Sequence, residues 1–218
     1  MSQQISLRTD GTGGSDTSLY SAGYAAVNLG SQSVGILGAT TIFKGTTYCR
    51  FLLRFDLSAV PPRSAVLAAR LGLTKNSAAH PDGAVVQTRR VTRPEWTELG
   101  ATWNLYDGVQ PWTTPGGDFD PASSVQTTTD AGDAELEFSN LVGLVVDALA
   151  LRAGSLELLL SGNEAVASEY LVIHTGNDPL AAKRPCLELE FLAPPELQVS
   201  DHADGSGATA TATSVEPG

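Results

Sequence analysis

The chain has 218 residues, 42% of them hydrophobic, and a formal net charge of −11. That length suits one large all-β domain or two small ones, and the apolar content fits a globular core. The acidity reads first as solubility, and it argues against binding nucleic acid, because no basic stripe is present to release phosphate counterions.

Taken in chain order, the opening MSQQISLRTDGTGGSDTS shows no basic n-region, apolar h-region or cleavage site, so no secretory leader is read in the sequence as written. No run approaches the ~18 apolar residues of a membrane span. Residues 1–15 are polar and rich in Gly, Ser and Thr, which predicts an N-terminal arm. From Asp16, short apolar pieces are punctuated by Gly and Asn. TTYCRFLLRFDLS then alternates strictly: Cys49, Phe51, Leu53 and Phe55 share one face, and Arg50, Leu52, Arg54 and Asp56 the other. Asp56 precedes the Pro61-Pro62 corner. Its carboxylate is expected to accept backbone N–H bonds near Ser58, with Arg50 and Arg54 screening it.

Beyond the corner, Ala65, Leu67, Ala69, Leu71 and Leu73 are expected on one face of the next strand. A loop over residues 75–83 leads to AVVQTRRVTR, which also reads as a strand. A turn-rich stretch from Pro94 to about Asp130 carries all three tryptophans, and AELEF is a brief strand. SNLVGLVVDALALRAG predicts the one helix. Ser139 is its N-cap, Leu141, Val142, Val145 and Leu149 its apolar stripe, and Gly154 its stop. Three strands follow, with Leu156, Leu158 and Leu160 inward in the first, and Leu187, Leu189 and Phe191 inward in the last.

From residue 193 to 218 the hydrophobicity falls, which predicts a linker or a tail that orders on a partner. Many short strands, rich turns and one helix predict an all-β fold. The expectation is a single antiparallel β-sandwich, jelly-roll-like, over residues 16–192, with extended terminal arms. Cys49 falls on an apolar face and Cys186 on a charged one, which predicts two free thiols.

RFLLRFDLSAVPPRSAVLAARLGL resembles the signature of the DNRLRE-type domain, a β-sandwich related to a carbohydrate-binding module family. Asp16-Thr17 and NLGSQSVGILG upstream, RVTRPEWTELGATWN downstream, the helix at 141–151 and the closing RPCLELEF follow the family's order, so the resemblance spans residues 16–192. The Trp usual after the family's helix is absent; Leu149 or Leu151 lies near its position. The resemblance implies binding or scaffolding rather than catalysis. Relatives bind acidic polysaccharides or occur as surface or tail proteins of bacteriophage particles.

The expectation is therefore a non-enzymatic virion surface protein, a phage decoration or minor tail protein. Its expected partners are other virion proteins or its own copies, together with host glycans, at the virion surface. The alternative is a polysaccharide-binding module of a secreted or cell-surface protein. Neither nucleic acid nor a membrane is an expected partner.

No G-x-S-x-G, H-E-x-x-H, P-loop or Cys-x-x-Cys run is present, and His80, His174 and His202 are scattered, so no catalytic residue is assigned. Sugar rings stack on aromatic faces, and Trp96, Trp103, Tyr106 and Trp112 crowd one loop-rich region. The family pattern makes Trp96 and Trp103 core plugs. Tyr106 and Trp112 are the expected exposed platform, with Arg89 and Arg90 as forks for a carboxylate sugar. Asp107, Asp118 and Asp120 offer oxygens for a structural Ca²⁺, against the commoner role of turn-forming carboxylates. No other cofactor is expected.

Overall fold

The computed structural model describes residues 1–43, 45–76, 82–130, 132–167 and 169–195. His80, His202 and residues 196–218 of the expected tail lie outside the described residues. The strands in chain order are β1 (Gln3–Arg8), β2 (Gly14–Tyr20), β3 (Val34–Thr40), β4 (Thr47–Asp56), β5 (Ala65–Thr74) and β6 (Val85–Arg90). After them come β7 (Val125–Thr128), β8 (Glu135–Phe138), helix α1 (Val142–Leu151), β9 (Ser155–Ser161), β10 (Tyr170–His174) and β11 (Cys186–Leu192).

They build an all-β sandwich of two antiparallel sheets. The smaller runs β1-β11-β5-β8. The larger runs β10-β3-β4-β9-β6-β7, with β2 added to β4 beside β3. An antiparallel bridge between Lys75 and Ile173 brings the end of β5 to β10, so the larger sheet curls toward the smaller at that edge. The period-2 patterns fill the space between the sheets. Phe51, Leu53 and Phe55 of β4 and Leu156, Leu158 and Leu160 of β9 meet Leu187, Leu189 and Phe191 of β11 in one buried cluster. Helix α1 closes one end, with Leu144, Val145 and Ala148 buried and contacts to both β5 and β9. Asp56 caps the Pro-Pro corner as expected: Ser58 N–H donates to its Oδ1 at 2.8 Å. Both cysteines are free.

Four local expectations change. Residues 3–8, expected within an arm, form an edge strand, because Ile5 and Leu7 pair with Leu189 and Leu187 and pack on the core. Residues 125–128, inside the expected turn-rich stretch, pair with β6. In β5, Leu67 points out at 49% exposure. Phe191 pairs with Val66 and Glu190 with Ala68, so Leu67 is an extra residue and the inward face switches there. Ser139 does not cap the helix. Leu141 N–H bonds Ala69 O of β5 at 3.3 Å, and the first turn starts beyond reach of Ser139, without a side-chain cap. At the other end Gly154, with φ +80°, returns its N–H to Ala148 O at 3.0 Å.

Asp16 ties the N-terminal hairpin to the sandwich. It is 1% exposed. Its Oδ2 accepts from Thr9 Oγ1 at 2.5 Å and from Gly176 N–H at 2.6 Å. Burial outweighs these two donors and pushes its carboxyl up to about 7, with the charge of Glu98 adding to the rise. Between an ordinary Asp value and about 7, the folded state therefore holds a proton that the unfolded chain has released. Stability is expected to fall as pH rises through that window and to level off above it. Denaturant melts of the wild type and Asp16→Asn across pH 4 to 8 check this. The difference between them should carry the slope of Asp16 together with its coupling to Glu98, while the upward shift of Glu157 is common to both proteins. A pH-independent difference removes the assignment.

Candidate functional site: a two-arginine cleft on the outer sheet face

The outer face of the larger sheet is covered. Leu52 of β4 lies fully buried there beside Leu19, Leu159, Val91, Trp96, Ala101 and Trp112, a second core separate from the one between the sheets. The long loop after β6 supplies its lid. Two arginines bracket Leu52 and hold that loop down. Arg54 Nη2 donates to Pro94 O at 2.6 Å and Trp96 O at 2.7 Å, its guanidinium carbon lies 4.4 Å from the Trp96 ring centre, and its Nε bonds Glu157 at 2.9 Å. Arg50 Nη1 donates to Gly116 O at 3.0 Å, at the far end of the same loop. Gly116 and Gly117 have φ of +94° and +104°. A Cβ on Gly116 would meet Arg50 and Trp103 at 2.8 Å, so the loop passes there only as glycine.

Beside the clamp the face opens into a cleft of about 620 Å³, within the usual range of about 300–1,000 Å³ for ligand sites. Its charged walls are Arg50 from β4, Arg89 from β6, and Glu164 and Glu169 from the loop after β9. Phe119 stands between the arginines, 4.7 Å from the Arg89 guanidinium and 5.9 Å from that of Arg50. Arg50 is forked by Glu164, Nε to Oε1 at 2.6 Å and Nη2 to Oε2 at 2.9 Å. Arg89 donates to Ser161 Oγ at 3.3 Å and forms no ion pair among the described residues. Burial first, and the like charge of Arg50 second, pull its guanidinium below the ordinary value, while Glu164 opposes them. It remains a cation at neutral pH. A half-buried planar fork beside an aromatic face can receive a carboxylate while an attached ring packs on Phe119.

The expected sugar site is rearranged. Arg89 stays, but Arg90 points to the other side of β6. Arg89 pairs with outward Leu159 and Arg90 with inward Leu158, as period 2 requires of neighbours. Arg90 is spent on Asp120 and Asp147. Trp112 is not exposed. It is 4% accessible, because it plugs the second core and its indole N–H bonds Thr102 O at 2.9 Å. Tyr106 packs on Trp112 at 5.7 Å and under Arg93 at 5.0 Å, away from the cleft. Trp96 is fully buried as expected, and Trp103 is half-buried beneath Arg50, 5.0 Å away. Sequence reading missed Arg50, Glu164 and Phe119. Phe119 sits in GGDFDP, where the acids drew attention; Arg50 was legible as outward-facing but not as partly covered.

Asp107, Asp118 and Asp120 do not converge. Asp107 caps Val109 and Gln110 N–H groups, Asp118 caps those of Thr113 and Thr114, and Asp120 caps Ala122 and pairs with Arg90. Among the described residues no cluster of three metal-ligating side chains forms. His174 is buried with both ring nitrogens engaged, by Asp178 at 2.6 Å and Asn76 at 3.1 Å, which is a structural arrangement. Thermal melts in EDTA and in millimolar Ca²⁺ should coincide. Asp118→Ala should cost about 1–2 kcal/mol through its two lost N–H acceptors. A Ca²⁺-dependent rise in melting temperature that Asp118→Ala abolishes overturns the turn-capping role.

No protein-family model matches the chain, and no curated protein matches it.

Proposed function

We propose that the chain is a non-enzymatic surface protein that binds an acidic polysaccharide through the cleft of Arg50, Arg89 and Phe119. The setting is the virion surface, or alternatively the cell exterior, that the resemblance to the DNRLRE-type domain implies. The supporting observation is Arg89 itself: a desolvated fork without a carboxylate partner among the described residues, set beside an aromatic ring in an open cleft. The chain carries 24 acids against 13 basic residues. Most of its surface therefore repels an anionic polymer, and the two-arginine cleft is where such a chain is received. Uronic acids combine the two features the cleft answers, a carboxylate and an apolar ring face.

Calorimetric titration with galacturonate oligomers and with neutral glucose oligomers of the same length tests this. The wild type is expected to bind the acidic series only. Arg89→Gln should weaken that binding about tenfold or more, the worth of a charge-assisted hydrogen bond, with the melting temperature little changed. Equal binding of the neutral series, or unaltered affinity in Arg89→Gln, rejects the cleft as the site.

A further inference from the structure

The two guanidiniums of the cleft are not equivalent. Arg89 presents an open fork, whereas Arg50 is closed by Glu164. The Glu164 contact is bidentate, the geometry a ligand carboxylate would itself adopt on an arginine. We propose that Glu164 is a built-in competitor: its carboxylate stands in for the ligand's on Arg50, and an acidic ligand gains the second guanidinium only by displacing it. This rests on the acidic-ligand reading of the cleft.

Three features fit displacement rather than a fixed structural pair. First, Glu164 lies in the connection between β9 and β10, outside either strand, and its side chain is 26% exposed against 16% for Arg50. Second, among the described residues the bonds nearest it are local ones, Ala165 N–H to Asn163 Oδ1 and Asn163 Nδ2 to Glu169 Oε2, and the connection is tied to β3 at its far end, where Ala39 N–H donates to Glu169 O at 3.3 Å. Glu164 itself stands before that tie and can swing without breaking it. Third, Arg50 does not depend on Glu164 for its position. Its Nη1 is fixed on Gly116 O, and its plane lies over Trp103. When Glu164 leaves, the fork stays where it is. The charge of Glu164 also reaches Arg89, which places the one carboxylate within the field of both cations.

The consequence is quantitative. A site competent for two-point binding only when Glu164 is away shows an affinity reduced by that competent fraction. With the pair closed roughly nine-tenths of the time, removing the competitor raises affinity about tenfold. Glu164→Gln is therefore expected to bind galacturonate oligomers about tenfold more tightly than the wild type. The gain should vanish in the Arg50→Gln/Glu164→Gln double variant. Glu169→Gln removes a negative charge from the same cleft without freeing Arg50, and should change affinity by less than about twofold. Glu164→Asp, which keeps the charge on a shorter arm, should also bind more tightly, and it guards against a purely coulombic gain.

Equal or weaker binding by Glu164→Gln, or an equal gain from Glu169→Gln, overturns the competitor role. If the wild type binds through Arg89 and only these gains fail, the cleft remains the site and Glu164 is a structural pair. If neither the wild type nor Glu164→Gln binds the oligomers, both readings fall together. Binding by Glu164→Gln alone supports the competitor directly.

Discussion

Strand β4 has to satisfy a core on each of its faces, and the way it does so organises the molecule. Its inward residues, Phe51, Leu53 and Phe55, fill the sandwich. Its outward residues cannot all be apolar, because the long loop that covers them brings backbone carbonyls with it. The solution alternates. Leu52 is buried under the loop, and the arginines on either side of it bind carbonyls at the loop's two ends, Arg54 at Pro94 and Trp96 and Arg50 at Gly116. A guanidinium suits this task because its planar donors satisfy several acceptors at once while its face covers an indole. The buried acid beneath Arg54 follows from the same need. Glu157 is 3% exposed, and burial raises its carboxyl while Arg54 counters the rise. Such a pair adds little net stability, but loss of one partner leaves a buried charge unpaired.

The cleft is a by-product of that clamp. Because Arg50 is pinned at Gly116, the loop must turn back through two left-handed glycines, and it then runs beside β6, where Phe119 bridges to Val91. This puts an aromatic ring at the sheet surface between Arg50 and Arg89. Arg50 and Arg89 rise from strands, and Phe119 and Glu164 from loops. The two guanidiniums therefore rest on strand backbone, while Glu164 rests on the connection between β9 and β10.

Most of the sandwich was legible in period-2 patterns, since burial between two sheets leaves a direct imprint on alternate residues. What was not legible has identifiable causes. An inserted residue such as Leu67 reverses the face without changing composition, so alternation read through it misassigns the start of β5. The first strand carries only Ile5 and Leu7 as apolar residues, and it becomes a strand because β11 offers an open edge. Trp112 was expected outside because the family pattern assigns only Trp96 and Trp103 to the core. Here the loop itself folds over a second core, and nothing local distinguishes a tryptophan that plugs from one that displays. Arg89 and Arg90 are different, because their neighbouring positions already required opposite faces, and pairing them in one site overlooked a rule the rest of the reading used.

The electrostatic setting turns that opposition into the argument for function. Many arginines of this acid-rich chain meet a carboxylate, and Arg50, Arg54, Arg70, Arg90, Arg93 and Arg152 do so, whereas Arg8 and Arg184 donate to backbone carbonyls. On β6 the two neighbours divide accordingly. Arg90 reaches the loop and helix acids Asp120 and Asp147 and becomes part of the scaffold. Arg89, one residue away on the other face, meets a hydroxyl and an aromatic ring. Half-burying a cation with such partners costs more than pairing it would, and in the reading we propose an incoming anion offsets that cost. The same face already carries carboxylates that have found arginines, Glu157 on Arg54 and, at the cleft, Glu164 on Arg50. The protein thus displays within its own structure the bond by which we propose an acidic ligand is recognised.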